Sequence, residues 1–271
     1  MQKTQLQTPF GATLEVYHQG GHITSWVPGA GARDRLFVAK GTEYAEGKAI
    51  RGGVPVCFPQ FAAFGTGVKH GFARTADWAL ESVNDQQTEA VFTLKDNEQT
   101  RELWPNAFEL RLIIALSEGN LTMTLDVKNT DSKPWDFSGA LHTYFAVSDF
   151  TKASVSSFEG ATYWDNGTDL SNKKVEQNNS LTFTGALDRV YFDAPDSLLL
   201  NDGANALEIN KTGFTDVVVW NPGAEGAQGL KDMHDDEYTG MLCVEAAIVD
   251  KPITLAPGAS WQGSQILIVK S

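Results

Sequence analysis

The strongest pattern in the sequence is an alternation of apolar and polar residues with a period of two. Every second residue between 121 and 127 is apolar, and a similar stripe runs from 110 to 116. This period is typical of a strand with one buried face. Residues 117–120, Ser-Glu-Gly-Asn, separate the two stripes and suit a turn, so the pair is predicted to form a hairpin.

Other segments extend the β pattern along the chain. A second hairpin is predicted between 14–18 and 22–27, around a Gly-Gly turn. Two continuous apolar runs, 217–220 and 266–269, are predicted to be strands buried on both faces, although a short run of this kind also fits a helix.

Helical patterns are sparse. Residues 96–103 suit a short helix that ends before Pro105, and 224–233 is a weaker candidate because it contains two glycines. The sequence has no alternation of strands and long helices, no linker, no internal repeat and no low-complexity tract. We therefore predict one all-β domain over residues 1–271, built from many antiparallel strands.

Composition and charge restrict the classes of function. The 271 residues are 42% hydrophobic and 20% charged, which suits one large sandwich or barrel with a substantial core. Nucleic-acid-binding proteins are usually basic, whereas this chain has a net charge of −13, so no nucleic-acid partner is expected. The same charge repels anionic small molecules at long range, so an anionic substrate would need a local cationic pocket.

Cysteine content and hydropathy bear on the compartment. The two cysteines, Cys57 and Cys243, cannot form a disulfide framework, which favours a reducing environment. We find no apolar signal segment near Met1 and no apolar run of the ~20 residues that a membrane-spanning helix needs. A soluble, cytoplasmic protein without membrane contact is expected.

The most informative segment for function begins at Arg51. This arginine is followed by two glycines and precedes two prolines, a composition typical of a loop. If 70–74 is extended, His70, Phe72 and Arg74 point to the same face. Guanidinium groups bind phosphate through charge-assisted hydrogen bonds, so the two arginines are phosphate-binding candidates. The alternative is that both are surface ion-pair partners.

His142 and Glu245 are the candidates for acid and base chemistry. His142 lies among apolar and aromatic residues, and histidine is the usual general acid or base. Glu245 interrupts an apolar strand on the face of Cys243, where burial would raise the pKa of the carboxyl group toward a value useful to a base. The alternatives are a core histidine with satisfied hydrogen bonds and a structural ion pair.

The remaining candidates carry less information. Asp188 is followed by Arg189, with which it can form a local ion pair, and its spacing does not single it out. His18 and His22 flank the Gly-Gly turn without a cysteine or carboxylate beside them, so no metal site is predicted. The sequence contains no phosphate-binding glycine loop, dinucleotide-binding fingerprint or zinc-ligand spacing. The acidic run 232–237 is interpreted as a solvated loop.

Six motifs resemble, in their order, those of the hexose-6-phosphate mutarotases, also called glucose-6-phosphate 1-epimerases, of the aldose 1-epimerase superfamily. They are RGGVPVCFPQF from Arg51, HGFAR from His70, LHTYF from Leu141, LDRVY from Leu187, VWNP from Val219, and DEY from Asp236 with MLCVEAA from Met241. They span residues 51 to 247, and the flanking segments are compatible, so the resemblance covers nearly the whole chain.

This resemblance implies a fold, a reaction and a set of site residues. The fold is an antiparallel β-supersandwich of the galactose mutarotase type with an open cleft. The reaction interconverts the α and β anomers of a hexose 6-phosphate, with glucose 6-phosphate as the expected substrate. His142 is implied as general acid and Glu245 as general base. The other matched positions are expected to bind substrate: the phosphate at Arg51 and Arg74, and the sugar at His70, Asp188 and Gln60.

Two departures and two alternatives remain open. The loop 61–69 and the glycines Gly223 and Gly226 differ from the family's pattern, which leaves the preferred hexose undecided. A mutarotase for unphosphorylated aldoses would share His142 and Glu245 but would gain nothing from two arginines. A non-catalytic carbohydrate-binding module on the same fold would not need an acid together with a base.

Proton transfer alone completes the reaction, so no cofactor or metal is expected, and we expect a monomer.

Overall fold

Antiparallel strands make up most of the computed structural model, which describes residues 1–165 and 169–270. The first ten strands are β1 (Lys3–Gln7), β2 (Thr13–Tyr17), β3 (His22–Val27), β4 (Val56–Cys57), β5 (Ala79–Val83), β6 (Glu89–Lys95), β7 (Phe108–Ser117), β8 (Asn120–Asn129), β9 (Trp135–Leu141) and β10 (Tyr144–Ala146). The others are β11 (Ser154–Ser156), β12 (Thr162–Asp165), β13 (Asp169–Val175), β14 (Ser180–Thr182), β15 (Leu187–Phe192), β16 (Ser197–Asn201), β17 (Ala206–Thr212), β18 (Asp216–Asn221), β19 (Met241–Leu255) and β20 (Ser260–Lys270). The helices are α1 (Glu98–Leu103) and α2 (Gly223–Gln228), with 3-10 turns at Ala73–Thr75, Phe150–Lys152 and Glu237–Gly240.

The strands form two large sheets and one small one. The nine-stranded sheet has the order β14-β11-β16-β17-β20-β8-β7-β6-β5. The eight-stranded sheet has the order β13-β12-β15-β18-β19-β9-β4, with β10 also paired to β19. The third sheet is β1-β2-β3. Within the described residues, no helix is long and apolar enough to cross a membrane.

The main core lies between the inner faces of the two large sheets. The period-2 alternation of β7 and β8 places Leu110, Leu112, Leu121 and Leu125 in this core. Val217, Val219, Val244 and Ala246 of the eight-stranded sheet enter it from the other side. The predicted all-β sandwich is therefore confirmed, and so are both predicted hairpins, β7–β8 and β2–β3.

Four other predictions are confirmed or corrected. Residues 217–220 lie in β18, which is covered on both faces as predicted. The prediction for 266–269 is wrong, because only Leu267 is buried there and the alternate residues of β20 face away from the core. The predicted helix at 96–103 is α1, which begins after the N-cap Asn97. The predicted helix at 224–233 is only α2, which ends before Gly229.

Two glycines allow loops to cross closely at the edge of the eight-stranded sheet. Gly53 has a φ of 61°, and a Cβ there would lie 2.1 Å from the Ile23 carbonyl oxygen. Gly71 has a φ of 69°, and a Cβ there would lie 1.9 Å from the Phe58 carbonyl oxygen. Both the left-handed conformation and the close approach exclude a side chain. These crossings explain the glycines that follow Arg51 and His70.

We expect Gly71→Ala to destabilise the fold much more than Gly258→Ala. Both glycines have positive φ, which costs a non-glycine residue ~1–2 kcal/mol. Gly258 has open space around it, whereas Gly71 meets the Phe58 carbonyl, which should add a further ~1–3 kcal/mol. Urea unfolding of the two variants measures the difference. Equal losses of stability would show that the crossing at Gly71 is not tight.

Candidate active site

The outer face of the eight-stranded sheet carries the predicted catalytic residues. Successive side chains on a strand point to opposite faces, so Glu245 points away from the main core that its neighbours Val244 and Ala246 enter. The strand register pairs Glu245 with Val218, and Cys243 with Trp220. Burial of this outer face follows from the loops that cover it, among them the segment around His70.

His142 and Glu245 form a buried pair. His142 follows β9, and its Nδ1 lies 3.3 Å from Oε1 of Glu245. The two residues are 7% and 1% exposed. Within the described part of the chain, Nδ1 of His142 and Oε2 of Glu245 have no hydrogen-bond partner. Unsatisfied buried polar atoms cost ~1–3 kcal/mol each, so both atoms are available to bind a polar group of a substrate.

Burial favours the neutral forms of both groups. It raises the pKa of the Glu245 carboxyl group well above its ordinary value, and the nearby Asp188 carboxylate adds to the rise. Burial also lowers the pKa of the His142 imidazole well below its ordinary value, with further lowering from His70, Arg74 and Arg51. The distance alone would permit an ion pair, but desolvation outweighs the attraction. The pair therefore shares one proton and carries no net charge.

Aromatic rings fix the orientation of His142. The Tyr144 ring stacks on the imidazole at 4.8 Å with an interplanar angle of 9°. The Trp220 ring meets it edge-on at 6.3 Å, and the His70 ring lies 5.2 Å away. These contacts enclose the imidazole and restrict the orientation of its ring.

His70 is neutral, and its tautomer is determined by its neighbours. The backbone N–H of Ala62 donates to Nδ1 at 3.3 Å, so the proton lies on Nε2. The Sγ of Cys57 is also 3.3 Å from Nδ1. Burial, together with Arg74, Lys69 and Arg51, lowers the pKa of His70 to about 3. His70 can therefore donate a hydrogen bond from Nε2 at neutral pH.

The predicted extended conformation of 70–74 is wrong. His70 and Gly71 both have positive φ, and Ala73–Thr75 is a 3-10 turn. The chain turns here because it must pass the Phe58 carbonyl. His70 and Arg74 nevertheless converge, since the Arg74 guanidinium lowers the pKa of the His70 ring.

Both arginines lie near the two histidines. Arg51 donates from Nε to Oδ1 of Asp232 at 3.1 Å and from Nη1 to the Tyr144 hydroxyl at 3.3 Å. Arg74 donates from Nη2 to the backbone carbonyl of Lys69 at 3.0 Å. Each guanidinium is close enough to lower the pKa of His142. The alternative that the arginines are ion-pair partners therefore holds in part for Arg51, because Arg51 pairs with Asp232.

Gln60 and Asp188 have different surroundings. The Gln60 amide holds the loop 61–69, donating to the carbonyls of Ala62 and Gly67 and accepting from the Gly67 N–H at 2.8 Å. Asp188 lies on the outer face of β15, where the register aligns it with Trp220. Its carboxylate raises the pKa of Glu245. Contacts of both residues with substrate remain predictions.

Tyr144 and Asp232 are site residues that the sequence reasoning did not single out. Tyr144 stands two residues after His142 in the LHTYF motif, and this spacing is the signal that could have identified it. The interpretation of 232–237 as a solvated loop is confirmed for the exposed residues 234–236 but is wrong at both ends. Asp232 pairs with Arg51, and the buried Glu237 accepts from the Lys40 and His234 N–H groups.

One departure from the expected pattern has a structural cause. Gly223 begins α2 with a φ of 64°, and a Cβ there would lie 2.7 Å from the Ala186 nitrogen. No side chain fits at this position, so the loop before β15 approaches the start of α2 more closely than a larger residue would allow.

Comparison with known proteins identifies the family. The aldose 1-epimerase family model matches residues 2–267. A protein of Cenchrus ciliaris, provisionally named glucose-6-phosphate 1-epimerase, is 37% identical over 275 residues, which cover 97% of this chain and 83% of the relative. The chain belongs to the aldose 1-epimerase family, and it is an isomerase that interconverts sugar anomers.

Solved structures agree with this assignment. The crystal structure of a provisionally named mutarotase from Salmonella typhimurium has a TM-score of 0.90 and 28% identity, covering 99% of this chain and 90% of that one. A galactose mutarotase-like protein from Lactobacillus casei has a TM-score of 0.80 at 15% identity, covering 99% and 100%, and shows the fold alone. The predicted galactose mutarotase-type fold is confirmed.

Glu245→Gln should raise the free energy of unfolding, by an amount that grows with pH. An unfolded carboxyl group ionises near its ordinary pKa of 4.5, whereas burial keeps Glu245 protonated in the folded protein. Between these two pKa values the wild type loses ~1.4 kcal/mol of stability for each unit of pH. The glutamine variant has no ionisable group at this position and does not lose it. Below pH 4.5 the difference between the two proteins should no longer change with pH.

Thermal or urea unfolding from pH 4 to 8 measures this difference. The exposed Glu81 is a matched control, because its hydrogen bond with Arg111 lowers the pKa of the carboxyl group, and Glu81→Gln should therefore show the opposite sign. A stability difference for Glu245→Gln that does not depend on pH would mean that the buried carboxyl group is ionised.

Proposed function

We propose that this protein interconverts the α and β anomers of a hexose 6-phosphate, with glucose 6-phosphate as the first candidate, without a metal or cofactor. The observation that carries the proposal is the position of Arg51 and Arg74 around the buried His142–Glu245 pair. The names of relatives such as the Cenchrus ciliaris protein support the same substrate.

Ring opening requires two proton transfers at neighbouring oxygens. The proton of the pair first moves from Glu245 to His142, which leaves an ionised base and a protonated acid without changing the net charge. Glu245 then takes the proton of the anomeric hydroxyl, and the electron pair of that O–H bond forms the carbonyl. The bond from C1 to the ring oxygen breaks, and the ring oxygen takes a proton from His142. Both oxygens are bonded to C1, so acid and base must lie close together, and the 3.3 Å between Nδ1 of His142 and Oε1 of Glu245 meets this requirement.

Ring closure uses the same groups in opposite roles. After rotation about the C1–C2 bond the aldehyde presents its other face, His142 takes back the proton of the attacking hydroxyl, and Glu245 returns its proton to the carbonyl oxygen. The open-chain intermediate therefore faces a protonated Glu245 and a neutral His142. Burial stabilises the same protonation state, so the site favours the stage at which the ring is open.

The two arginines supply what a phosphate needs in an acidic protein. A phosphate monoester carries roughly −1.5 to −2 charges at neutral pH, and a net charge of −13 repels it. Arg51 is held in place by Asp232 and by the Tyr144 hydroxyl, which belongs to the residue whose ring stacks on His142. A mutarotase for neutral aldoses would not need either guanidinium, and a binding module would not need the unsatisfied acid–base pair.

Organisation and location are part of the proposal. We propose that residues 1–271 form a single domain, since one continuous core contains residues of all three sheets. The buried, unpaired thiols of Cys57 and Cys243 support a reducing compartment, which we propose to be the cytoplasm. We also propose that it acts as a monomer.

Glu245→Gln and His142→Asn should each reduce anomer exchange by ~10²-fold or more, because each removes one proton-transfer group. Substrate binding should persist in both variants. Magnetisation exchange between the anomers of glucose 6-phosphate, followed by NMR, gives the rates. Glu81→Gln is the control for loss of a carboxyl group away from the site. Exchange at the wild-type rate in either site variant would remove that residue from the mechanism.

Arg51→Ala and Arg74→Ala should lower kcat/KM for glucose 6-phosphate by about tenfold or more. A charge-assisted hydrogen bond contributes ~1.5–3 kcal/mol, and 1.4 kcal/mol corresponds to a factor of ten. Activity on free glucose should change little. Arg101→Ala is the matched control, because Arg101 is exposed and pairs with Asp96 on the surface. Equal losses on both sugars, or a wild type that prefers free glucose, would favour the neutral-aldose alternative.

A further inference from the structure

Three metal-ligating side chains meet at the catalytic pair, and the proposed reaction uses only two of them. One donor atom each of His142, Cys243 and Glu245 lies within 4.8 Å of the others, and all three residues are buried. Cys243 has no part in the proton transfers described above. We propose that these three residues form a binding site for a zinc-type divalent cation, which inhibits the enzyme by occupying its acid–base pair.

The spacing of the donor atoms suits tetrahedral coordination. Zinc bonds of ~2.0–2.3 Å in a tetrahedron place neighbouring donor atoms roughly 3.3–3.7 Å apart. The distance between Nδ1 of His142 and Oε1 of Glu245 is 3.3 Å, and these atoms do not form a hydrogen bond. The thiol needs only a small side-chain movement to join them, since its Sγ is already within 4.8 Å of both.

The unsatisfied atoms of the pair are oriented for a ligand. Nδ1 of His142 and Oε2 of Glu245 are buried and lack hydrogen-bond partners among the described residues. A cation bound through Nδ1 and a carboxylate oxygen of Glu245 would give the unpartnered imidazole nitrogen a ligand bond. Nitrogen, sulfur and oxygen donors together favour Zn²⁺ or Co²⁺, whereas Mg²⁺ and Ca²⁺ require mostly oxygen ligands.

The charge balance favours a bound cation over a free one in this pocket. Binding releases the thiol proton of Cys243 and the carboxyl proton of Glu245 to solvent, with no change of oxidation state. Two positive charges then meet one thiolate and one carboxylate, so the complex is neutral. Arg51 and Arg74 repel a free cation but not a neutral complex, and burial penalises only uncompensated charge.

Inhibition rests on the proposed function, whereas metal binding does not. A cation held by His142 and Glu245 prevents both proton transfers, so zinc should inhibit anomer exchange in competition with the sugar. The binding itself has an independent signal, because a cysteine thiolate bound to Co²⁺ gives an intense charge-transfer absorption band.

The test is a titration of the metal-free protein with Co²⁺ and then with Zn²⁺. The wild type should develop one equivalent of thiolate charge-transfer absorption, which Zn²⁺ removes by displacement. Cys243→Ser should lose the band, and Cys57→Ser is the matched control that should keep it, because Cys57 is the other buried thiol and contacts His70 instead. Zinc inhibition of Cys243→Ser should be weaker by more than about tenfold, since even outer partners of a metal ligand contribute tenfold or more.

The outcomes separate this inference from the proposed function. A wild type without the band, or a Cys243→Ser variant that retains it, overturns the metal site whatever the variant's stability. If the band appears but chelation abolishes activity and zinc restores it, the site is real and the inhibitory role is wrong, as is the metal-free reaction. If zinc inhibits wild type and Cys243→Ser equally, the cation acts elsewhere and the inference fails.

Discussion

Burial of the Glu245 carboxyl group beside the His142 imidazole is the interaction on which the rest of the site depends. β19 is buried on both faces along its first nine residues, and a carboxyl group within it has no water to stabilise an ionised form. Protonation of Glu245 and neutrality of His142 follow from this position. The stacked Tyr144 ring and the His70 ring contribute to this burial by packing against the imidazole.

The sheet architecture could be predicted from the sequence because alternation in β7 and β8 reports burial of one face directly. The β20 prediction failed because it rested on a different signal, a continuous apolar run. A continuous apolar run does not reveal whether a second layer covers its outer face, and β20 lies in the nine-stranded sheet, whose outer face is not covered by the core. The helix predicted to reach residue 233 was shortened because glycine at 226 and 229 weakens a helix that no hydrophobic face stabilises.

The site could be predicted by residue type and motif order, but its geometry could not. Arg51 and Asp232 are separated by 181 positions, and only the folded topology brings the acidic run to the arginine. The left-handed conformation of His70 arises from a backbone crossing at Phe58 that no local pattern encodes. The role of the Gln60 amide could not be predicted either, because it accepts from the Gly67 N–H only once the 61–69 loop has folded back onto it.

Tyr144 connects the two chemical tasks of the site. Its ring stacks on His142, and its hydroxyl accepts a hydrogen bond from Nη1 of Arg51, whose Nε is held by Asp232. A phosphate that binds Arg51 must share the guanidinium with both partners, and it therefore acts on the same ring that orients the imidazole. In the proposed function the phosphate and the anomeric carbon belong to one substrate, so this linkage would let binding energy at the phosphate align C1 with the proton-transfer pair.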